Sequence, residues 1–373
     1  MKKQYTSLGL MSGTSGDGVD ASIIQSDGKD KVLFLKDKYY NYDDSLFTKF
    51  HNLKKKINTK KDLIKNINEI KKLENEITIF HAKVIKDMVL SHKFDLIGFH
   101  GQTLYHNPEE KMSMQLGNGD LLSQLSKKKV IFNFRKKDIL NGGEGAPLSP
   151  IYHKYLIKSK KISLPACILN IGGIANITLI NGYNDQDISS KDLGPGNCLL
   201  DNWMQANTNN KIDNDGKISK SGDVNGIILE QALETYASNS EKKIIKSYDT
   251  KDFDISFVRG LSIADGAATL LAFTAKIIAS EISSILREFN NKKISIYVCG
   301  GGRKNSNLIH NIKINSNKNL FFSDIDTLGL MGDFIESQAF AYLAVRSIQS
   351  LPLSFPKTTG CKTPSYGGEI IEY

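Results

Sequence analysis

The segment GTSGDGVD, residues 13–20, has the composition of a loop that binds phosphate. Its glycines let backbone N–H groups approach phosphate oxygens, and Thr14 and Ser15 add hydroxyl donors. The segment has neither the lysine of a P-loop nor the spacing of a GxGxxG fingerprint, and a simple hairpin turn would explain its glycines equally well. The residues assigned to this predicted phosphate loop are Gly13, Thr14, Ser15, Gly16, Asp17, Gly18, Val19 and Asp20. Asp17 and Asp20 are also candidates for binding Mg²⁺ through water, because magnesium retains most of its hydration.

Two further glycine segments follow apolar runs later in the chain. NIGGIANIT, residues 170–178, contains Gly172 and Gly173 between two predicted strands and suits a second phosphate contact. CGGGRKN, residues 299–305, contains Gly300, Gly301 and Gly302 after another strand, where a flat base or ribose could lie against bare backbone. A β-bulge and a plain strand-to-helix connection are the structural alternatives.

The segment DLGPGN, residues 192–197, places Asp192 before a Gly-Pro-Gly turn. An aspartate held rigidly in this way suits a general base, although an Asx-turn would use the same residue types. Asn197 is in position to cap a helix that begins near Cys198.

Two predicted strands in the first half each end in a polar, glycine-containing loop, FHGQTLYH (residues 99–106) and FRKKDILNGGEGAP (residues 134–147). Arg135 can pair with a carboxylate through two parallel donors. His100 and His106 are candidates for contacting a substrate, but a lone histidine is more often structural. Glu336 begins the last predicted helix, and Asp333 three residues earlier predicts a capping arrangement there.

The apolar pattern predicts the elements that must position these residues. Strands are expected on both sides of residues 13–20 and on both sides of Gly172–Gly173, so that each glycine segment is the turn of a hairpin. Two such hairpins, one in each half, suggest a duplicated α/β architecture. Strands are expected at 95–99, 130–134 and 294–298, and helices at 63–90, 199–205, 226–237, 264–288 and 333–348. Since ligands bind beyond the carboxyl ends of strands in open α/β sheets, the glycine and polar segments are expected to line a cleft.

Composition limits the class of protein. A chain of 373 residues predicts two domains, and 40% hydrophobic residues predicts buried cores. The net charge of +9 comes from scattered lysines without interleaved aromatic residues, which argues against nucleic-acid binding. The four cysteines form no CxxC pair, which argues against zinc and disulfides. With no predicted signal peptide or membrane span, we expect a cytoplasmic protein without a membrane partner.

Taken in order, these segments and FIESQAFAYLA (residues 334–344) resemble the motif series of the anhydro-N-acetylmuramic acid kinases, from Gly9 to about Gly360. The resemblance implies two actin-like (ribonuclease H-like) lobes with mixed sheets flanked by helices and an ATP cleft between them. The first lobe is expected at residues 1–135 plus about 350–373, and the second at about 136–349.

The resemblance implies an ATP- and Mg²⁺-dependent kinase in peptidoglycan recycling and amino-sugar catabolism. Water opens the 1,6-anhydro bridge of anhydro-N-acetylmuramic acid, and O6 receives the γ-phosphoryl group, which gives N-acetylmuramic acid 6-phosphate and ADP. By similarity, Asp192 takes a proton from that water. The residues expected at the small-molecule sugar are His100, Gln102, Arg135 and Glu336. The sequence leaves open whether the chain forms a homodimer.

Three residues depart from the family pattern. Gly16 stands where the family usually has Leu, Leu193 where it usually has Thr, and Glu144 where it usually has Gln. We expect activity with altered affinity, because Asp192 and Arg135 are present. Two alternatives remain: a kinase for an uncharged anhydro sugar such as levoglucosan, and a non-catalytic actin-like regulator that binds nucleotide.

Overall fold

The computed structural model describes residues 3–240 and 247–373. The chain forms two compact units. Unit 1 comprises Met1–Lys161, Tyr183–Ser189 and Asp333–Tyr373, and unit 2 comprises Ile162–Gly182 and Ser190–Gly332.

Unit 1 is built on a sheet of seven strands in the order β12-β6-β4-β1-β2-β3, with β5 paired to β4. The central strand β1 runs antiparallel to β2 and parallel to β4, which is itself parallel to β6. The strands are β1 (Tyr5–Ser12), β2 (Gly18–Ser26), β3 (Val32–Asn41), β4 (Leu96–Asn107), β5 (Met112–Leu116), β6 (Lys129–Phe132) and β12 (Glu369–Ile371).

Unit 2 repeats the same arrangement with five strands in the order β11-β10-β7-β8-β9. Here β7 is the central strand, antiparallel to β8 and parallel to β10, and β11 is parallel to β10. The strands are β7 (Ala166–Ile171), β8 (Ile174–Ile180), β9 (Ile188–Pro195), β10 (Ile294–Cys299) and β11 (Leu320–Asp324). The recurrence of one strand order confirms the predicted duplicated α/β fold with two mixed sheets.

Helices bury apolar faces against both sheets. Those of unit 1 are α1 (Asp44–Lys56), α2 (Lys60–Lys65), α3 (Ile67–Ser91), α4 (Gly119–Ser126), α5 (Lys136–Leu140), α6 (Pro150–Ser159), α12 (Ile335–Ile348) and α13 (Pro356–Thr359). Those of unit 2 are α7 (Cys198–Asn207), α8 (Lys217–Ser221), α9 (Gly226–Ser240), α10 (Ile263–Ile285) and α11 (Ser306–Ile314).

The helix α10 is long and apolar enough to cross a membrane by composition alone. Within its most apolar window, however, 72% of the residues are buried inside the structure. Its residues Leu271, Ala275 and Ile278 belong to the hydrophobic core that covers the sheet of unit 2. α10 therefore has the burial of a core helix of a globular unit.

The compact units divide the chain differently from the predicted lobes, since residues 136–161 and 333–349 belong to unit 1. The reason is the packing of α12 on the first sheet. A Cβ at Gly9 of β1 would lie 1.9 Å from the Ser337 carbonyl oxygen, so α12 approaches the strand backbone directly. In addition, the buried Tyr152 hydroxyl of α6 donates to Gln338 of α12 at 2.9 Å.

Three local predictions are wrong. FHGQTLYH is part of strand β4 instead of a loop, because the chain resumes pairing with β5 after a bulge that contains Gly101 at φ +76°. Gly18, Val19 and Asp20 lie in β2, so the turn is shorter than predicted. Helix α12 begins at Ile335, so its N-cap position is held by Phe334 and not by Asp333.

Candidate functional site

The first glycine segment forms a tight turn between β1 and β2. The Gly16 N–H donates to the Gly13 carbonyl at 3.1 Å, and the Ser15 hydroxyl donates to the Asp17 carboxylate at 2.6 Å. Gly16 has a φ of +63°, which favours glycine at this position. Together, these contacts hold residues 13–17, hereafter the hairpin loop, in a defined conformation.

Helix α1 supports the hairpin loop from one side, which sequence reasoning missed. A Cβ at Gly16 would lie 2.3 Å from the fully buried ring of Phe50, so this ring occupies the space of a side chain at residue 16. The imidazole of His51 hydrogen-bonds the backbone of Ser15, and burial, followed by the charge of Lys54, lowers its pKa. The departure at Gly16 is therefore matched by an aromatic residue on α1.

A second support comes from β4. The Gln102 side-chain amide donates to the Gly13 carbonyl at 2.7 Å. Behind it, the Ser12 hydroxyl lies 3.1 Å from the Tyr42 hydroxyl and 3.3 Å from His81 Nε2, all in buried surroundings. Gln102 thus positions the hairpin loop, and the sugar contact that the sequence predicts for it stays a prediction.

The glycines of the three segments differ in why they must be glycine. At Gly13, Gly172 and Gly301, an added Cβ would approach no closer than 3.7 Å to any of the protein atoms that surround it. None of these three has a positive φ that would require glycine. Neither local packing nor backbone strain accounts for glycine there, and at each of the three the space that a Cβ would occupy is available to a ligand.

Other glycines of these segments are required by the packing of the fold, because an added Cβ would collide with neighbouring atoms. A Cβ at Gly18 would lie 2.3 Å from the Tyr40 carbonyl oxygen, and one at Gly302 would lie 2.3 Å from the Ile171 side chain. Gly300 combines a φ of +79° with a Cβ position 2.4 Å from Asn170 Oδ1. Val19 is fully buried in the core of unit 1, so only its backbone can face a ligand.

Asp17 and Asp20 both lie within electrostatic range of the Tyr39 hydroxyl, which also hydrogen-bonds Asp17. Burial raises the pKa of the Tyr39 hydroxyl far above its usual range, and the negative charges of Asp17 and Asp20 raise it further. Among the described residues, no cluster of three or more metal-ligating side chains exists. Two carboxylates fit a hydrated Mg²⁺ that takes its other ligands from water and phosphate oxygens.

His100, Arg135 and Glu336 come together in unit 1. Arg135 donates to His100 Nε2 from Nη2 at 2.8 Å and to the Gly145 carbonyl from Nη1 at 2.7 Å. His100 Nδ1 lies 2.8 Å from the Gly101 carbonyl, so the neutral ring carries its proton on Nδ1. Burial and then the guanidinium hold the pKa of His100 well below its usual range.

Glu336 adds a carboxyl group to this cluster. Burial raises the pKa of Glu336, and the Arg135 guanidinium opposes that rise. The Arg135 guanidinium and the Glu336 carboxyl group can donate to and accept from hydroxyl and amide groups, and His100, whose two ring nitrogens bond Arg135 and the Gly101 carbonyl, holds the guanidinium in place. His106, by contrast, pairs with the Ser113 hydroxyl at 2.9 Å across the β4–β5 ladder.

Sequence reasoning missed Asp138, which organises residues 141–147. Its buried carboxylate accepts from the Gly145 N–H at 2.7 Å, from the Thr359 hydroxyl at 2.6 Å and from the Ser354 hydroxyl. The Glu144 N–H donates to the Thr359 carbonyl at 2.8 Å, so the backbone at this departure from the family pattern is tied to α13. The only sequence signal for Asp138 is a carboxylate between a strand and two glycines.

In unit 2, Asp192 lies in β9 and is only 7% exposed. One of its carboxylate oxygens accepts from the Tyr248 N–H at 3.0 Å. The next residue, Leu193, is fully buried in the core that covers the sheet. The departure at Leu193 is therefore a core contact instead of a partner for the carboxylate.

The turn after Asp192 rests directly on the second glycine segment. The Gly196 N–H donates to the Gly173 carbonyl at 2.9 Å, and the Asn197 N–H donates to the Gly172 carbonyl at 2.8 Å. Helix α7 begins at Cys198 as predicted, but the Asn197 side chain makes no capping hydrogen bond. The Asn197 amide instead lies next to Gly301, 3.8 Å from its Cβ position.

The structure thus brings the predicted site residues into two groups. Unit 1 combines the hairpin loop with Gln102 and also holds the cluster of His100, Arg135 and Glu336. Unit 2 combines the Asp192 turn with both of its glycine segments. The arrangement within each unit suits phosphate contacts, and unit 2 adds a carboxylate able to accept a proton.

Comparison with known proteins identifies relatives of the whole chain. A family model described as anhydro-N-acetylmuramic acid kinase matches residues 5–372. A protein of that name from Pelagibacter ubique (strain HTCC1062) is 52% identical over 374 residues, covering 100% of each chain. One from Zymomonas mobilis subsp. mobilis is 38% identical over 371 residues, covering 97% of this chain and 98% of the relative.

Among solved structures, a ROK family glucokinase from Streptomyces griseus, in complex with glucose and AMPPNP, has a TM-score of 0.41 at 11% identity. The alignment covers 91% of this chain and 98% of that chain. The match to the family model extends over nearly the whole sequence, and the two kinase relatives align over nearly their full lengths. The resemblance of the ordered motifs is confirmed, and the chain belongs to the anhydro-N-acetylmuramic acid kinase family.

Proposed function

We propose that the protein uses ATP to convert 1,6-anhydro-N-acetylmuramic acid and water into N-acetylmuramic acid 6-phosphate and ADP. Family membership supports a kinase. The observation that carries the proposal is the placement of Asp192. Its nearly buried carboxylate is held by the Tyr248 N–H, and its turn is bonded to a glycine segment that leaves the Cβ space of Gly172 open.

Asp192 acts as the general base in the proposed reaction. It takes one proton from water, and the resulting hydroxide oxygen bonds to C1 of the sugar as the C1–O6 bond breaks. The electron pair released on O6 forms the new bond to the γ-phosphorus, and the bond to the β–γ bridging oxygen breaks to release ADP. A positioned general base contributes about a hundredfold to ten-thousandfold in rate.

The open Cβ space at Gly13, Gly172 and Gly301 supports a close approach of nucleotide phosphate to these segments. Gln102 holds Gly13 in place, so the backbone does not have to reorganise when charge develops on the phosphoryl group. Asp17 and Asp20 hold a hydrated Mg²⁺, which neutralises phosphate charge when it is bound.

The cluster of His100, Arg135 and Glu336 binds the sugar. Arg135 supplies positive charge for the lactyl carboxylate, and Glu336 accepts from sugar hydroxyl or amide groups. We also assign Gln102 to the sugar, in addition to its hydrogen bond to the hairpin loop.

An uncharged anhydro sugar such as levoglucosan is a second candidate, and one observation favours it. The Arg135 guanidinium already donates to His100 and Gly145, and the Glu336 carboxyl group lies within its electrostatic range. These partners compete with a lactyl carboxylate, whereas an uncharged sugar does not require that contact. A non-catalytic regulator has no use for a carboxylate positioned like that of Asp192.

We place this reaction in the cytoplasm, within peptidoglycan recycling and amino-sugar catabolism, because the proposed substrate is a cell-wall amino sugar and the donor is ATP. The family match over nearly the whole chain supports this context. Either a monomer or a homodimer is compatible with it.

The test is incubation with ATP, Mg²⁺ and either anhydro-N-acetylmuramic acid or levoglucosan in water labelled with oxygen-18, followed by mass spectrometry. We expect the acidic sugar to give a 6-phosphate with label at C1 and none in the phosphate, because the ester oxygen is the former bridging O6. Turnover of levoglucosan alone would favour the second candidate. Release of labelled inorganic phosphate without a sugar product would contradict both.

A further inference from the structure

Helix α1 brings a cation to a phosphate loop that has none of its own. The Lys54 ammonium group donates to the Thr14 carbonyl at 3.2 Å, although 40 residues separate them along the chain. The same ammonium lies 5.9 Å from the centre of the Phe50 ring. Since Phe50 packs directly against Gly16, the same ring lies beside both the Lys54 ammonium group and the hairpin loop.

The hairpin loop itself brings no positively charged side chain to the phosphates. Between Gly13 and Asp17, the only ionisable side chain is that of Asp17, which is negative. A nucleoside triphosphate adds several negative charges, and backbone N–H groups carry only partial positive charge to offset them. A P-loop meets the same requirement with a lysine inside the loop itself.

We propose that Lys54 is a phosphate-binding residue of the nucleotide site, reaching a phosphate oxygen of the ATP held by the hairpin loop. This inference rests on the proposed function only in that the hairpin loop binds the nucleotide phosphates. Lys54 is half-buried, so part of its stem is already ordered before a ligand arrives. Its contact with Thr14 anchors the ammonium group at the loop backbone.

The structural alternative is that Lys54 serves only to tie α1 to the Thr14 carbonyl. The two roles differ in what the loss of the charge affects. If Lys54 only ties α1 to the carbonyl, loss of its charge lowers the thermal stability of unit 1 and weakens the binding of all nucleotides to the same extent. If Lys54 contacts phosphate, loss of its charge weakens the binding of a nucleotide more when that nucleotide carries more phosphates. Such a contact also makes the affinity more dependent on salt.

The experiment compares Lys54→Met with Lys55→Met, a matched control that removes the same charge from the next, exposed residue of α1. Dissociation constants are measured by calorimetry for ATP, and for AMP by competition with ATP. We expect Lys54→Met to weaken the binding of ATP about tenfold to a hundredfold, the range for a lost charge-assisted hydrogen bond. The binding of AMP should weaken by less than about threefold. Lys55→Met keeps wild-type affinities, and Lys54→Arg restores most of the ATP affinity.

Equal losses for ATP and AMP, or equal losses in the Lys54 and Lys55 variants, would overturn the inference. So would wild-type ATP affinity in a folded Lys54→Met protein. If wild-type protein binds ATP but phosphorylates neither sugar, the proposed function fails while the binding comparison still tests Lys54. If wild-type protein binds no ATP, both fail.

Discussion

At the residue scale, Asp192 is tested by the isosteric change Asp192→Asn. The amide oxygen of asparagine can still accept from the Tyr248 N–H, which donates to the carboxylate at 3.0 Å in the structure. It cannot take a proton from water, so we expect kcat to fall about a hundredfold to ten-thousandfold. The measurement is steady-state formation of the sugar 6-phosphate. ATP affinity, determined separately, should be unchanged, and a variant with near-normal turnover would remove Asp192 from the mechanism.

Gly13 and Gly18 form a pair of probes for the hairpin loop. Gly13→Ala adds a Cβ whose nearest neighbour is 3.7 Å away, so we expect a normally stable protein with weaker ATP binding, because the methyl group obstructs phosphate. Gly18→Ala instead forces a Cβ to 2.3 Å from the Tyr40 carbonyl oxygen and should lower the Tm. Thermal denaturation and ATP calorimetry on both variants separate the two effects. Unchanged ATP affinity in Gly13→Ala would show that the open backbone there does not face the phosphates.

Arg135 tests the choice between acidic and uncharged sugars. Arg135→Lys keeps the charge but loses the fork that donates to His100 and Gly145. If Arg135 recognises the lactyl carboxylate, kcat/KM should fall more for anhydro-N-acetylmuramic acid than for levoglucosan. Equal losses on both sugars would assign Arg135 to holding His100 and the backbone of Gly145.

At the element scale, the contact between β1 and α12 explains why α12 belongs to unit 1. We expect Gly9→Ala to lower the free energy of unfolding by about 3 kcal/mol or more, since its Cβ would lie 1.9 Å from the Ser337 carbonyl oxygen. That oxygen belongs to the helix backbone, which cannot move away without disturbing α12. The matched control is Gly226→Ala at the start of α9, where nothing lies within 4 Å of the new Cβ. There, alanine should maintain or raise stability. Urea denaturation of both variants provides the comparison, and equal stabilities would contradict the close approach of α12.

The elements also show which local patterns identify structure reliably. The long apolar periodicity of residues 63–90 corresponds to α2 and α3, and the run 264–288 corresponds to α10. FHGQTLYH was predicted as a loop because its polar residues and glycine resemble a turn. In the structure, Gly101 absorbs a bulge and the strand continues, since β5 offers a second partner. A pairing partner distant in sequence determines such a segment, so local composition cannot.

At the scale of the whole molecule, buried histidines predict how stability depends on pH. Burial lowers the pKa of His81 to about 4 and that of His153 to about 3, and it also lowers the pKa values of His51 and His100. In the unfolded chain, each titrates near 6.5. The unfolded state therefore binds more protons below that pH, so stability is greatest above about 6.5 and decreases as the pH falls towards the folded pKa values.

For each fully buried histidine, we expect a loss of about 1 kcal/mol between pH 6.5 and 5.5. The measurement is the Tm at pH 7.5, 6.5 and 5.5. A His153→Gln variant should show a smaller decrease than the wild type, whereas changing the exposed His92 to Gln should leave the decrease unaltered. A Tm that is independent of pH over this range would contradict the role of the buried rings.

The sequence alone determined the class of fold, the order of its main strands and helices, and the family. These depend on local periodicity and on motifs that are recognised from their order along the chain, such as Gly13–Asp20, Asp192–Asn197 and Gly300–Gly302. Only the tertiary structure decided which glycines face open space, because a glycine at Gly13 and one at Gly18 look alike until Tyr40 is placed beside the second. The same is true of Asp138, Phe50 and Lys54, whose partners lie tens to hundreds of residues away, since the contacts that define their roles exist only once the chain has folded.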